Sequence, residues 1–141
     1  MIYVRSDVQE DQSGRPVAVG AIHFSTPDAN VVTENLTTPA ESSPLNALGG
    51  YLEVIATGCI PVSGLVVSYL LSVTWKRVAD VLEVSLVDVL HPTAVPVGGA
   101  TLDVVANVDA LAIEVTPGSA SPIVWDVNYE LYQTPFEYDP A

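Results

Sequence analysis

Hydrophobic and polar side chains alternate clearly along residues 65–77. One set of alternate positions, from Leu65 to Trp75, is apolar, whereas the other set is mostly Ser, Thr and Lys76. A sustained period of two is typical of a β-strand and is not produced by an amphipathic helix. Residues 123–132 show the same pattern, because apolar positions there alternate with Asp126, Asn128 and Glu130. The chain is therefore predicted to contain two long strands that each bury one face.

Shorter segments of similar composition add further strands. They are residues 17–24, 51–57, 81–90, 100–108 and 110–116, and turn-forming Pro, Gly, Asn and Asp separate many of them. No segment has a convincing helical period. We predict an all-β protein, an antiparallel β-sandwich or jelly roll of about seven or eight strands with extended terminal arms.

One predicted strand, Val81–Leu90, is apolar on both sides. Strict alternation places Leu82, Val84, Leu86 and Leu90 on one face, and the opposite face then carries Val81, Val87 and Val89. A strand of this composition is normally covered on both faces. We expect another part of the chain, or a neighbouring subunit, to cover its outer side.

Composition along the chain predicts the domain organisation. Residues 1–16 begin with Ile2 and Tyr3 and then become polar, as in an N-terminal arm. Residues 17–132 are expected to form the β-sandwich domain, with a long loop rich in Pro, Ser and Thr at residues 25–50 in which Val31 and Val32 could form a short strand. Residues 133–141 are expected to form a C-terminal tail.

The charge balance limits the possible partners. Seventeen carboxylates oppose four Lys and Arg residues in the 141-residue chain, which gives a net charge of −13. Binding to a nucleic-acid backbone is therefore not expected. Only 15% of residues are charged and 49% are hydrophobic, a balance that a buried subunit interface would explain. We predict a homo-oligomer whose interface includes Ile2, Tyr3, Val81, Val87, Val89, Tyr132, Phe136 and Tyr138.

Neither a membrane nor a secretion signal is expected from the pattern. The first ten residues carry charge early and lack an apolar core, so no signal peptide is predicted. Residues 55–75 contain no charged residue and are long enough to cross a bilayer. However, Gly58, Pro61 and Gly64 interrupt them and their second half alternates, which favours a turn followed by a strand.

Candidate catalytic and metal-binding residues have simpler structural interpretations. Oxygen ligands for calcium occur at Asp103, Asn107, Asp109, Asp126, Asn128 and Glu130, but no calcium-loop sequence joins them. His23 and His91 lack a nucleophile motif nearby, and Cys59 is the only cysteine. We therefore predict no catalytic residue, no metal, no cofactor and no enzymatic activity.

Aromatic residues allow one further kind of site. Trp75 and Trp125 lie on the apolar sides of their predicted strands and are expected in the core. Tyr51, Tyr132 and Tyr138 are less constrained by the pattern. Exposed aromatics of this kind serve either as stacking platforms for glycans or as anchors in protein interfaces.

The predicted last strand, Ile-Val-Trp-Asp-Val-Asn-Tyr-Glu-Leu-Tyr at residues 123–132, resembles the closing strand of small β-sandwich virion proteins of tailed bacteriophages. This resemblance to capsid decoration (cement) or fibre-tip proteins implies a non-enzymatic viral structural protein, made in the host cytoplasm. It implies a place on the capsid surface, contact with the major capsid protein and a homotrimer. The alternative is a receptor- or glycan-binding tip module of a tail fibre. A third possibility is an enzyme with dispersed carboxylates.

Overall fold

The computed structural model describes residues 16–39, 46–90, 100–118 and 120–137. These residues form eight β-strands and no helix. The strands are β1 (Ala18–Thr26), β2 (Val32–Thr37), β3 (Asn46–Ile60), β4 (Leu65–Val78), β5 (Val81–Leu90), β6 (Thr101–Asn107), β7 (Ala110–Thr116) and β8 (Ile123–Glu137). The prediction of an all-β fold with seven or eight strands is confirmed.

Two antiparallel sheets make up the fold. The five-stranded sheet has the order β1-β8-β3-β4-β5, and the three-stranded sheet has the order β2-β7-β6. Their apolar faces pack on each other, as in a β-sandwich. The three-stranded sheet packs on one face of the larger sheet, which we call its inner face.

The two tryptophans lie in the core, as predicted. Trp75 and Trp125 are fully buried, and the indole Nε1 of Trp125 donates a hydrogen bond to Thr26 Oγ1 at 3.1 Å. Gly58 faces Trp125 from the neighbouring strand, and a Cβ atom at Gly58 would lie 2.7 Å from the indole ring. Glycine is therefore needed at this position to make room for the ring.

Strand β5 contains a β-bulge that the hydrophobic pattern did not reveal. Thr74 pairs with Leu86, but the next residue of β4, Trp75, pairs with Val84. Ser85 is therefore an extra residue on β5. Such an insertion shifts the alternation by one residue, so the faces exchange on either side of it.

Because of the bulge, the predicted faces of β5 are wrong for the residues after Ser85. Val87 and Val89 pack against the core and do not lie on the outer side as expected. Leu86 and Leu90 were expected on the same face as Leu82 but lie on the outer side, where they are 56% and 58% exposed. No described residue covers this side of β5, so the strand is not buried on both faces.

The segments predicted as a loop and a tail contain more strand than expected. Within residues 25–50, β1 continues to Thr26, β2 occupies Val32–Thr37 and β3 begins at Asn46. Strand β8 continues to Glu137 because it pairs with β3 as far as Asn46. Pairing with the long strand β3 thus extends β8 beyond the residues whose hydrophobic and polar side chains alternate. Residues 1–15, 40–45, 91–99, 119 and 138–141 lie outside the described residues, and they include all of the predicted arm except Pro16.

A buried arginine connects the two sheets. Arg77 on β4 is 1% exposed and forms ion pairs with Asp80 at 2.9 Å and Asp109 at 3.1 Å. Its Nη1 also donates to the carbonyl oxygen of Pro39 at 3.1 Å. The arginine therefore ties β4 to the β6–β7 turn and to the chain that follows β2.

Candidate functional site

The outer face of the five-stranded sheet is the side turned away from the three-stranded sheet. Several large apolar side chains on it are exposed, although the described part of the chain has a complete core on the opposite side. Among them are Val19 on β1, Ile55 on β3 and Leu86 and Leu90 on β5. Several large exposed apolar side chains on one face of a folded domain are characteristic of an interaction site.

Strand register arranges this outer face in rows that run across the sheet. One row is largely apolar and crosses four strands, because Asn128 pairs with Ile55, Ile55 with Leu70 and Leu70 with Leu90. Residues paired in this way point to the same side of a sheet. We call this row the apolar row.

The neighbouring row is acidic. Glu130 pairs directly with Glu53, Glu53 pairs with Ser72, and Ser72 pairs with Asp88. Val19 completes the row on β1, opposite Glu130. Like charges placed opposite each other on adjacent strands destabilise a sheet, so this acidic row has an energetic cost in the free chain.

Beyond the acidic row lies a pair of tyrosines. The rings of Tyr51 and Tyr132 have centroids 5.9 Å apart and are tilted by 44°. The Tyr51 hydroxyl donates to Ser72 Oγ at 3.0 Å, and the Tyr132 hydroxyl donates to Glu130 Oε1 at 3.0 Å. The hydrogen bond to Glu130 raises the pKa of Tyr132, and desolvation and the nearby charge of Glu53 raise this pKa further.

Two concave regions lie near these rows. A shallow depression of about 290 Å³ has Val19, Glu53, Ile55, Asn128 and Glu130 in its lining, and therefore contains both apolar and acidic surface. A more open groove of about 510 Å³ lies at the edge of the sandwich, between β5 and β6. Val84–Val87 lie on one side of it and Asp103–Ala106 on the other, so the bulged part of β5 borders the groove.

The structure separates the residues that were predicted to form one interface. Val81 and Tyr132 lie on the outer face, whereas Val87 and Val89 pack against the core. Phe136 lies in β8, where it pairs with Ala47. Ile2, Tyr3 and Tyr138 lie outside the described residues. The interface role of these residues stays a prediction.

The residues considered for metal binding or catalysis are dispersed. Asp126, Asn128 and Glu130 lie on the five-stranded sheet, whereas Asp103 and Asn107 lie on the three-stranded sheet. Asp109 pairs with Arg77. In the described ranges, no group of three or more His, Cys, Asp or Glu side chains is placed to hold a metal ion.

The remaining candidates do not form a constellation with these residues. His23 Nδ1 lies 4.0 Å from Asp126 Oδ1, and both side chains are exposed. Cys59 has a free thiol and is half-buried on β3. His91 lies outside the described residues. Of the residues that the structure describes, none belongs to a helix long and apolar enough to cross a membrane.

Sequence reasoning placed Glu130 on an outward face but did not identify its partners. The pairing of β3 with β8 brings Glu53 and Tyr51 next to Glu130 and Tyr132, although these pairs are far apart in the chain. Alternation indicates which side of its own strand a residue occupies. It contains no signal for the register between distant strands.

Comparisons with known proteins show a likeness in fold. No protein-family model matches the chain, and no curated protein matches it. The tailspike protein of Acinetobacter phage vB_ApiP_P1 is similar in structure, with a TM-score of 0.51 and 15% identity over 82% of this chain. The tailspike protein of Acinetobacter baumannii phage AM24 has a TM-score of 0.30 and 8% identity over 94% of this chain, too low a score for an argument.

The chain spans only part of these longer proteins, 22% of the first tailspike and 30% of the second. At such low identity the likeness concerns the fold and no activity or partner. The resemblance to phage virion proteins is therefore supported at the level of fold, through a tailspike and not through a capsid decoration protein.

Proposed function

We propose that this chain is a non-enzymatic structural module of a phage virion, located in a tail spike or tail fibre. The observation that supports the proposal is the structural likeness to the tailspike of phage vB_ApiP_P1, which extends over 82% of this chain. The matched part is 22% of that tailspike, a share that fits one module of a larger assembly.

The surface of the sandwich is consistent with such a role. The outer face of the five-stranded sheet combines exposed Val19, Ile55 and Leu90 with carboxylates. A module within an assembly is expected to bury such a face against a neighbour. Among the described residues, dispersed carboxylates and the absence of a metal-binding group offer no support for the enzymatic alternative.

The capsid decoration role predicted from the sequence is the competing hypothesis. The structural likeness that supports a virion role is to a tailspike, and no feature of the described residues favours the capsid surface over the tail. Immunogold electron microscopy separates the two. Antibodies against the recombinant chain are expected to label the tail of purified particles of the phage that encodes it. Labelling of the head would contradict the tail assignment, and unlabelled particles would contradict a virion role altogether.

The predicted homotrimer and the glycan-binding alternative have separate tests. Native mass spectrometry of the recombinant chain should give three times the mass of one chain if the module trimerises by itself. A glycan array addresses the receptor-binding alternative, for which the neighbouring Tyr51 and Tyr132 rings are the relevant feature. Saturable binding that is lost in Tyr51→Ala/Tyr132→Ala would favour that alternative, whereas an array without signal would count against it.

A further inference from the structure

We propose that the outer face of the five-stranded sheet is a docking surface for a partner protein that presents basic side chains among apolar ones. The rows of this face and the charges of the chain support this proposal. It does not depend on the assignment to a phage virion.

The area of the outer face and the positions of its apolar residues suit a protein interface. The acidic row lies between the apolar row, which contains Ile55 and Leu90, and a row in which Tyr51 and Thr74 precede Leu86. Five strands about 4.8 Å apart and a central strand of 15 residues give a face of about 20 Å by 45 Å. That area, about 900 Å², is comparable to the roughly 800 Å² that each partner buries in a standard protein interface.

The acidic row determines the chemistry of the partner. Glu53 and Glu130 stand directly opposite each other, and Asp88 follows in the same row. A partner that covers the apolar surface also removes these carboxylates from water, which is costly without a counter-charge. Lysine or arginine side chains on the partner would supply it and form charge-assisted hydrogen bonds.

The described part of the chain does not provide those cations itself. Lys76 and Arg77 are the basic residues of the described ranges. Lys76 lies in a different row, where its Nζ is 3.8 Å from Glu83 Oε1. Arg77 is buried, with its ion pairs, on the inner side of the sheet. The carboxylates of the acidic row therefore have no cationic partner among the described residues.

A second copy of the chain is a poor occupant for the same reason. In a symmetric dimer through this face, the same patch meets itself. Each copy would bring its own Glu53 and Glu130, and the whole chain has only four Lys and Arg residues for seventeen carboxylates. Charge complementarity therefore favours a different, basic partner over self-association.

Synthetic peptides provide the probe. Three fluorescein-labelled peptides of equal length, alternating Leu-Lys, Ser-Lys and Leu-Glu, are titrated with the full chain and followed by fluorescence anisotropy. The Leu-Lys peptide is expected to bind saturably because it presents both apolar and basic side chains. The Ser-Lys and Leu-Glu peptides each lack one of these features and are expected to bind at least about tenfold more weakly.

A matched pair of variants assigns the binding to this face. Glu53→Gln/Glu130→Gln neutralises the paired carboxylates of the outer face. Asp103→Asn/Glu114→Gln neutralises a carboxylate pair that stands opposite in the same way on the three-stranded sheet. We expect the first variant to lose about tenfold in affinity for the Leu-Lys peptide and the second to stay within about twofold of the unmodified chain.

Thermal unfolding distinguishes this role from a structural one. Glu53→Gln/Glu130→Gln is expected to melt at the same or a higher temperature, because the substitution removes repulsion between like charges and the glutamine amide oxygen at position 130 remains an acceptor for the Tyr132 hydroxyl. Lower affinity in a fold that is at least as stable supports the docking surface. Equal losses in both variant pairs, equal binding of the Ser-Lys peptide, or no saturable binding of the Leu-Lys peptide would each overturn it.

Discussion

The buried guanidinium of Arg77 predicts an unequal response to removing one side or the other of its ion pairs. Arg77 is 1% exposed, whereas the side chains of Asp80 and Asp109 are 49% and 63% exposed. Replacing the arginine returns both carboxylates to water. Neutralising the carboxylates leaves the cation buried without those anions, which is the costlier situation. We therefore expect the carboxylate variant to be the less stable of the two.

The contacts set the size of the difference. Asp80→Asn/Asp109→Asn removes both negative charges and keeps the turn at Asp80, since asparagine tolerates its φ of 65°. A hydrogen bond to a charged group contributes about 1.5–3 kcal/mol, and exposure of the carboxylates reduces this. We expect a loss of about 2–4 kcal/mol for the double variant. Arg77→Met keeps an apolar stem in place and should cost only about 1–2 kcal/mol.

Urea unfolding at neutral pH measures both losses through the fluorescence of the two buried tryptophans. Lys76→Met is the matched control, because Lys76 is exposed and its Nζ forms only a surface ion pair with Glu83 Oε1 at 3.8 Å. This variant should change the free energy of unfolding by less than about 1 kcal/mol. If Arg77→Met proves less stable than Asp80→Asn/Asp109→Asn, the account of a buried cation held by exposed anions is refuted.

Three other predictions concern the core, a turn and the outer face. Gly58→Ala places a Cβ atom 2.7 Å from the Trp125 ring and should destabilise the fold by about 1–3 kcal/mol in the same urea assay; an unchanged midpoint would contradict the tight packing. Val108 has a φ of 56°, which is unfavourable for a β-branched residue, so Val108→Gly should raise the free energy of unfolding by about 1 kcal/mol, and a lower free energy of unfolding would show that the turn is unstrained. The hydrogen bond to Glu130 raises the pKa of Tyr132 above 10.0. The stability that this hydrogen bond contributes is therefore present below pH 10 and is lost as the pH rises through the pKa of Tyr132 in the folded state. Ultraviolet titration of Glu130→Gln should show one tyrosine ionising at lower pH than in the unmodified chain, and identical titration curves would argue against this hydrogen bond.

Local pattern was enough to predict the class of fold and much of the core. Period-two alternation identified β4 and β8 and placed Trp75 and Trp125 on their buried faces, which the structure confirms. Alternation works here because successive side chains of a strand point to opposite sides, whatever the strand pairs with. The outward positions of Asp126, Asn128 and Glu130 follow for the same reason.

The tertiary structure decided what local pattern does not encode. A single extra residue at Ser85 reverses the faces of β5, and the residues that make it a bulge belong to its partner strand as well as to β5. The burial of Arg77 depends on Asp109 and Pro39, both distant in the chain. An arginine at the end of an alternating strand gives no indication that such partners exist.

At the candidate site, too, the sequence determined some features and the tertiary structure decided others. Alternation by itself determined that Glu130 points outward on its strand, and composition determined that the chain is acidic and short of cations. Only the antiparallel pairing of β3 with β8 decided that Glu53 stands opposite Glu130, with Tyr51 opposite Tyr132. The physical reason is that a strand's periodicity is local, whereas its register is set by contacts between residues far apart in the chain.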